Sequence, residues 1–181
     1  MLAGIFGHLR ESKRVLTVLR AVEELRRTGK QIELLLAGDY VSRDLERAVA
    51  LSGIPHHRRP YLPEADFWRY AAAADVIINL RYPSAGESSG IGVRMMGIGK
   101  TVIFTRGEET AGLPEGTCLM VDSGPAEKEM LKAFLVWLYE TPHALSVIGD
   151  RARRQTLTHH SPAHVAQRYL EVAHCALARD K

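Results

Sequence analysis

The sequence predicts an α/β fold: an open parallel sheet of about six strands with helices on both faces, ending in helices. Short runs rich in apolar and β-branched residues alternate with longer segments of helical period. The run Val76-Ile-Ile-Asn-Leu80 is too apolar for an exposed edge and predicts a central parallel strand. The chain has 181 residues, enough for one sizeable core, and it shows no repeat or Pro/Gly-rich linker. Residues 1–181 are therefore expected to form one domain.

The predicted strands and helices alternate along the chain. The strand candidates are the short apolar runs Leu2–Phe6, Ile32–Ala37, Ile54–Arg58, Val76–Leu80, Thr101–Thr105 and Thr117–Val121. The helix candidates have apolar residues at helical spacing: Lys13–Arg27, Ser42–Leu51, Pro63–Ala73, Ser88–Gly97, Ala126–Tyr139, Thr141–Arg154 and Ser161–Ala178. Ser161-Pro162 indicates an N-cap followed by proline at the first helical position, and Thr141-Pro142 repeats that pattern.

Composition narrows the class of protein. Hydrophobic residues make up 46% and charged residues 25% of the chain, which is ordinary for a soluble globular protein. No apolar run reaches the length of a membrane span and no cleavable leader is recognisable, so a cytoplasmic location is expected. The net charge of +3 comes from scattered arginines without interleaved aromatic residues. This favours small anionic ligands, or an acidic membrane surface, over nucleic acid.

The two cysteines do not indicate a metal site or a disulfide framework. Cys118 and Cys175 lie far apart and form no CxxC pattern. Both are expected to be small, buried apolar residues. The adjacent pairs His56-His57 and His159-His160 point in different directions in a strand or a helix, so no metal site is predicted there either.

The turn after the first strand is a candidate anion site. It reads Gly7-His8-Leu9-Arg10-Glu11-Ser12-Lys13, a glycine followed by cationic and protonatable side chains before a helix. A helix N-terminus presents free N–H groups and positive partial charge, to which His8 and Lys13 would add. The alternative is that Lys13 is a solvated residue and that His8 only passes over the sheet.

The turn after the apolar strand at 76–80 is a second candidate site. It contains Gly86-Glu-Ser-Ser-Gly90, in which Ser88 and Ser89 can cap a helix while its N–H groups face a phosphate. Glu87 has two explanations there. It either complements the helix dipole or accepts hydrogen bonds from sugar hydroxyls.

A dinucleotide site of the GxGxxG type is not supported. The run Gly90-Ile-Gly92-Val-Arg-Met95 has Met95 in place of the third glycine, and it lies inside the helix candidate rather than in the turn. Gly92 and Gly97 are instead expected to let the helix approach the sheet, and Gly99 to end the helix. The motifs GxSxG, GxxxxGK[ST] and HExxH are also absent from the sequence.

Two long segments carry a resemblance to a known family. GIFGHLRESKRVLTVLRAVEELRRTGKQIELLLAGDY and RPYLPEADFWRYAAAADVIINLRYPSAGESSGIGVRMMGIGKTVIFT resemble the C-terminal, donor-binding domain of group 1 GT-B glycosyltransferases, a Rossmann-like domain. The order and spacing of the pieces carry the resemblance, which covers nearly the whole chain. It implies that this chain is one half of a GT-B architecture.

The resemblance implies a role for each matching residue in binding a nucleotide diphosphate sugar. Gly7 would let the backbone approach the diphosphate, Lys13 would pair with that diphosphate, and Gly38 would close the second strand. His8 stands where the family usually has arginine. The remaining implied site residues are Tyr61 and Leu62 at the base, Glu87 at the donor sugar, and Ser88, Ser89 and Gly90 at the phosphate end.

The sequence departs from the family at a second glutamate. The family places it eight positions after the first, where this chain has Met95, or Arg94 if the alignment starts from the Gly99-Lys100 turn. Neither is a carboxylate, so ribose binding by that route is in doubt. Arg94 would either reach a phosphate or face solvent.

The implied function is transfer of a sugar from a UDP- or GDP-sugar, with retention, to an acceptor, with neither a metal nor a cofactor. The acceptor would bind to an N-terminal domain that this chain lacks, so the chain alone is expected to be inactive, and the full protein could associate with the inner face of a membrane. The last helix resembles the family's terminal helix, so part of its apolar face is expected to be exposed. The alternatives are a non-catalytic interaction domain or partner subunit, and a GT-B epimerase.

Overall fold

Six parallel strands form one open sheet in the computed structural model, which describes residues 1–179. The strands are β1 (Leu2–Phe6), β2 (Glu33–Ala37), β3 (His56–Arg59), β4 (Val76–Asn79), β5 (Thr101–Thr105) and β6 (Leu119–Val121). Their order across the sheet is β3-β2-β1-β4-β5-β6. The chain thus starts at the centre, builds one half of the sheet outward, and returns to build the other half. The predicted open parallel sheet is confirmed.

Seven α-helices connect and follow the strands. They are α1 (Val15–Arg27), α2 (Arg43–Leu51), α3 (Glu64–Ala73), α4 (Gly90–Gly97), α5 (Glu127–Glu140), α6 (His143–His159) and α7 (Pro162–Arg179). The first helix begins two residues later than predicted, because Glu11–Lys13 form a separate 3-10 turn and Arg14 adopts a left-handed φ of 57°. The helix predicted to begin at Ser88 begins at Gly90, and α6 runs beyond the predicted end at Arg154.

The core consists of two apolar layers on opposite faces of the sheet. In β2, Leu34 and Leu36 point to one layer, whereas Leu35 and Ala37 point to the other, as the alternation of side chains along a strand requires. Helices α1, α2 and α5 cover the first face, α3 and α4 cover the second, and α6 contributes residues to both. All four residues of β4 are buried, which agrees with its predicted central position.

Two glycines behave as the sequence predicts and a third does not. A Cβ atom on Gly92 would lie 2.3 Å from Cε1 of Phe104 in β5, so α4 approaches the sheet closely at this point. Gly99 follows α4 with a φ of 80° and its N–H bonds to the carbonyl of Met96, which ends the helix as expected. Gly97 faces α6 instead of the sheet, because a Cβ atom on Gly97 would lie 3.3 Å from Cγ2 of Thr156.

The predictions for the other helix ends and for the cysteines are confirmed in part. Ser161 caps α7 by accepting a hydrogen bond from the N–H of His164 at 3.2 Å. Thr141 does not repeat this arrangement, because Pro142 lies before α6 and no side chain caps that helix. Cys118 is buried as expected. Cys175 is exposed, since it lies on a helix that has little contact with the rest of the chain.

Helix α7 leaves most of its apolar residues in contact with solvent. Tyr169 is 74% exposed, and Val172 and Leu177 are 66% and 67% exposed. The expected exposure of this helix is therefore confirmed. No helix within residues 1–179 is both long enough and apolar enough to cross a membrane.

Candidate functional site

The candidate site lies where the strand order reverses, at the carboxyl ends of β1 and β4. The connection from β1 leads to β2 on one side, and β4 pairs with β1 on the other. Loops that diverge at such a point leave a crevice, which is where open α/β sheets bind ligands. The loop after β1 begins at Gly7, and the loop after β4 leads to the N-terminus of α4.

Gly7 and Gly38 bring two strand ends unusually close together. Both have positive φ angles, 86° and 136°, which side chains other than glycine rarely adopt. A Cβ on Gly38 would lie 2.2 Å from the carbonyl oxygen of Gly7, and one on Gly7 would lie 2.5 Å from Cδ1 of Ile91 in α4. Glycine at both positions therefore allows the two strand ends and α4 to approach each other this closely.

Lys13 is a buried cation beside Gly7. Its relative exposure is 6%, and its Nζ would lie 3.6 Å from a Cβ placed on Gly7. Burial, followed by the positive charges of Arg81 and Arg10, lowers the pKa of Lys13 to about 8. Within the described residues no carboxylate pairs with its ammonium group. The alternative of a solvated first-turn lysine is thus wrong, and a largely buried cation without a carboxylate partner is suited to an anionic ligand.

The loop that carries Lys13 is fixed by its neighbour Arg14. The guanidinium of Arg14 donates to both carboxylate oxygens of Glu127, with Nε to Oε1 at 3.1 Å and Nη2 to Oε2 at 2.6 Å. Glu127 is 1% exposed and also accepts from the hydroxyl of Thr17 at 3.1 Å. The N–H of Tyr82 donates to the carbonyl of Ser12 at 2.8 Å. These contacts tie the loops after β1 and β4 to each other and to α5, so Lys13 is held in position before any ligand binds.

The N-terminus of α4 is fixed by a buried amide. Ser89 accepts a hydrogen bond from the N–H of Gly92 at 3.1 Å and is thus the N-cap. Asn79, which is 4% exposed at the end of β4, donates from Nδ2 to the Ser89 hydroxyl at 2.8 Å. Ser88 and Gly90 are exposed on either side of the cap. The first N–H groups of α4 are consequently oriented at the crevice by the strand itself.

Glu87 pairs with an arginine that the sequence did not single out. The Nη1 of Arg81 donates to Oε1 of Glu87, and the backbone N–H of Arg81 donates to the hydroxyl of Thr105 at 2.9 Å. The side chain of Arg81 is 19% exposed, whereas that of Glu87 is 52% exposed. The position of Arg81 directly after an apolar central strand was the signal that could have identified it.

A small cavity lies on the β2 side of the crevice. It has a volume of about 130 Å³, and its lining includes four residues that the sequence analysis named, His8, Gly38, Tyr61 and Leu62. The N–H of Tyr61 donates to Oδ1 of Asp39 at 3.3 Å, while Tyr61 as a whole is 78% exposed. The structure thus brings these four residues together. A larger cavity of about 560 Å³ lies between β6, Phe134 and the loop after β5, where Arg106 and Gly107 line it.

Arg94 is not brought to the crevice. It lies two residues after Gly92, about 200° around α4 from the face that packs on the sheet. It is exposed and lines none of the cavities found between the strand ends of the described chain. Met95 is fully buried in the core. Of the two positions weighed for a second carboxylate, one therefore faces solvent and the other belongs to the core.

Comparisons with known proteins agree with this architecture. The sequence profile of a family described as glycosyl transferase-like matches residues 12–171. No curated protein sequence matches the chain.

Several solved structures share the fold at low sequence identity. HepE from Anabaena, crystallised in complex with UDP-glucose, has a TM-score of 0.81 at 17% identity, covering 96% of this chain and 48% of HepE. The catalytic domain of cholesterol-α-glucosyltransferase from Helicobacter pylori has a TM-score of 0.71 at 15% identity, covering 88% and 98%. The C-terminal domain of a group 1 glycosyl transferase, LpcC from Francisella tularensis, has a TM-score of 0.69 at 16% identity, covering 89% and 86%.

The chain thus spans about half the length of HepE but nearly the whole of the isolated Helicobacter domain. The family profile covers most of the chain. The fold matches both the longer HepE chain and the isolated glycosyltransferase domains. This chain belongs to the glycosyl transferase-like family and has the fold of the C-terminal domain of group 1 GT-B glycosyltransferases.

Proposed function

We propose that this chain is the donor-binding domain of a glycosyltransferase that takes a sugar from a UDP- or GDP-sugar with retention of configuration. The observation that carries the proposal is Lys13, a largely buried lysine without a carboxylate partner among the described residues, placed beside Gly7. A diphosphate supplies the negative charge that this position requires. HepE, which has the same fold, was crystallised with UDP-glucose.

In the proposed mechanism the diphosphate departs from the anomeric carbon. Lys13, His8 and the N–H groups at the start of α4 stabilise the negative charge that develops on the leaving group. Ser88, Ser89 and Gly90 form the phosphate end of the site, because they surround the fixed start of α4. Glu87 orients the sugar through its hydroxyl groups. Because these groups already supply the charge, we expect EDTA to leave donor binding unchanged.

The base of the nucleotide would enter the cavity beside Tyr61 and Leu62. Its volume of about 130 Å³ accepts part of a planar ring. The exposed ring of Tyr61 can stack on such a base, whereas the backbone of this loop supplies hydrogen-bonding groups. Both features favour a planar heterocycle. They do not distinguish uracil from guanine, which the titration described below does.

The acceptor is proposed to bind to a separate N-terminal domain that closes over the crevice. HepE is about twice as long as this chain, which is consistent with such a second domain. The exposed apolar residues of α7 would contact that domain. On this proposal residues 1–181 bind the donor but transfer little or no sugar by themselves.

Isothermal titration with UDP, GDP, UDP-glucose and GDP-mannose tests the proposal. The parent chain is expected to bind one nucleoside diphosphate and its sugar, and no binding in a folded chain would refute the proposal. Replacing Glu87 by alanine is expected to reduce the preference for the sugar nucleotide over the free diphosphate. If that preference is unchanged, Glu87 does not contact the sugar.

The second candidate function is a non-catalytic interaction domain or partner subunit. The observation that favours it is the replacement of a second carboxylate in α4 by the solvent-facing Arg94 and the buried Met95. Such a domain would keep the fold and bind another chain through α7. A folded chain that binds no nucleotide in the titration, yet binds a partner through α7, would favour this candidate over the first.

A further inference from the structure

The Arg81–Glu87 pair lies next to Ser89, the N-cap of α4, within the proposed donor site. Arg81 is anchored at its backbone by Thr105, and its largely buried guanidinium donates to Glu87. Glu87 belongs to the exposed segment 82–88, in which every residue is exposed. One partner is therefore held by the sheet, and the other lies on a segment that has few packing contacts to hold it.

Arg81 and Lys13 are two neighbouring cations, of which only Arg81 pairs with a carboxylate among the described residues. The positive charge of Arg81 is one of the causes that lower the pKa of Lys13, so the two groups are close enough to interact. Glu87 pairs with Arg81 and not with Lys13. A diphosphate carries more than one negative charge, and the forked guanidinium matches phosphate oxygens with two parallel hydrogen bonds.

A diphosphate and Glu87 would compete for Arg81. The carboxylate bonds to the guanidinium through Oε1 only, whereas a diphosphate carries more charge and can accept two parallel hydrogen bonds. Electrostatic repulsion between the phosphate and Glu87 would favour departure of the carboxylate from Arg81. Both carboxylate oxygens of Glu87 would then be able to accept hydrogen bonds from the hydroxyl groups of a donor sugar.

We propose that the diphosphate of the donor displaces Glu87 from Arg81, and that the released carboxylate then binds the sugar. Arg81 is thus a further phosphate-binding residue, and its pairing with Glu87 reserves the site until a diphosphate arrives. This inference rests on the proposed function, since it concerns the same site. It predicts that a nucleotide has to compete with Glu87 for Arg81.

The test measures the affinities of UDP and UDP-glucose, with GDP and GDP-mannose in parallel, for the parent chain, Glu87→Gln, Arg81→Met and the double variant. Glu87→Gln keeps the shape but removes the competing charge, so it is expected to bind the free diphosphate about two- to fivefold more tightly, the range expected for breaking a partly exposed ion pair. Arg81→Met is expected to weaken the binding of the free diphosphate. In the double variant the gain from Glu87→Gln should be absent, because there is no guanidinium left to release.

Glu23→Gln is the matched control, because it makes the same chemical change in an exposed ion pair with Arg27, in the last turns of α1, and should not change either affinity. If Glu87 has only a structural role in its loop, Glu87→Gln will bind the free diphosphate equally or more weakly, and the displacement is refuted while the proposed function stands. If the parent chain binds no nucleotide at all, both proposals fail. Even if Arg81→Met does not fold, equal or weaker binding by Glu87→Gln refutes the displacement.

Discussion

The lowered pKa of Lys13 predicts that donor affinity depends on pH in a defined direction. In the free protein the pKa of Lys13 is about 8, because burial and two neighbouring arginines disfavour its charge. A bound diphosphate would raise this pKa back toward the ordinary lysine value. Binding therefore requires the ammonium form, so affinity is fully present below the pKa of the free protein and falls as the pH rises through it.

The size of the effect follows from the fraction of lysine that carries a proton. With a pKa of about 8, about nine tenths of Lys13 is charged at pH 7 and about a quarter at pH 8.5. The affinity for UDP is therefore expected to fall about fourfold between these two values. The phosphate groups do not add to this change, because their second pKa lies near 6.

Isothermal titration in buffers of different ionisation enthalpy measures both the affinity and the proton taken up. At pH 8.5 we expect binding to take up roughly three quarters of a proton. Lys13→Met should weaken binding at pH 7 and remove the pH dependence, whereas Lys30→Met, which breaks a pair with Glu140, should change neither. An affinity that stays constant from pH 7 to 8.5 in the parent chain would refute the assignment of Lys13 as the diphosphate cation.

Three further predictions concern stability and reactivity. Glu127→Gln should lower the free energy of unfolding in urea by about 2–4 kcal/mol, because it breaks a pair whose carboxylate is buried, whereas Glu129→Gln on the exposed face of the same helix should have little effect. Gly92→Ala should lower the free energy of unfolding by about 1–3 kcal/mol, because the added methyl group overpacks the contact between α4 and the sheet. Unchanged stability would disprove the close approach of α4 to the sheet. A thiol reagent should label Cys175 in the folded chain and Cys118 only after unfolding, since Cys118 is buried and burial raises its pKa.

The sheet and its order of elements could be predicted from the sequence because they depend on local patterns. Runs such as 76–80 are apolar on both faces, which only a central parallel strand requires. Ser161 and Gly99 mark helix ends by their own chemistry, and both lie where predicted. Thr141 failed as a cap because the same Ser/Thr-Pro pattern is also compatible with a turn before the helix.

The contacts that hold the candidate site together could not be predicted in the same way. Arg14 and Glu127 lie 113 residues apart, and no periodicity relates them. Asn79 resembles any polar residue at a strand end until its bond to Ser89 is known. Lys13 could be a solvated residue or a buried one on sequence alone, because its burial depends on the distance between two loops that belong to different strands.

The contact between Gly38 and Gly7 has a consequence for how variants of this protein would behave. Gly38 lines the cavity proposed for the base, yet its backbone touches the carbonyl beside the proposed diphosphate position. A side chain at position 38 would push the first loop away from the sheet and would carry Lys13 with it. Affinity for a bare inorganic diphosphate, which has no base, would then fall as well, so sensitivity to position 38 does not by itself identify a base contact.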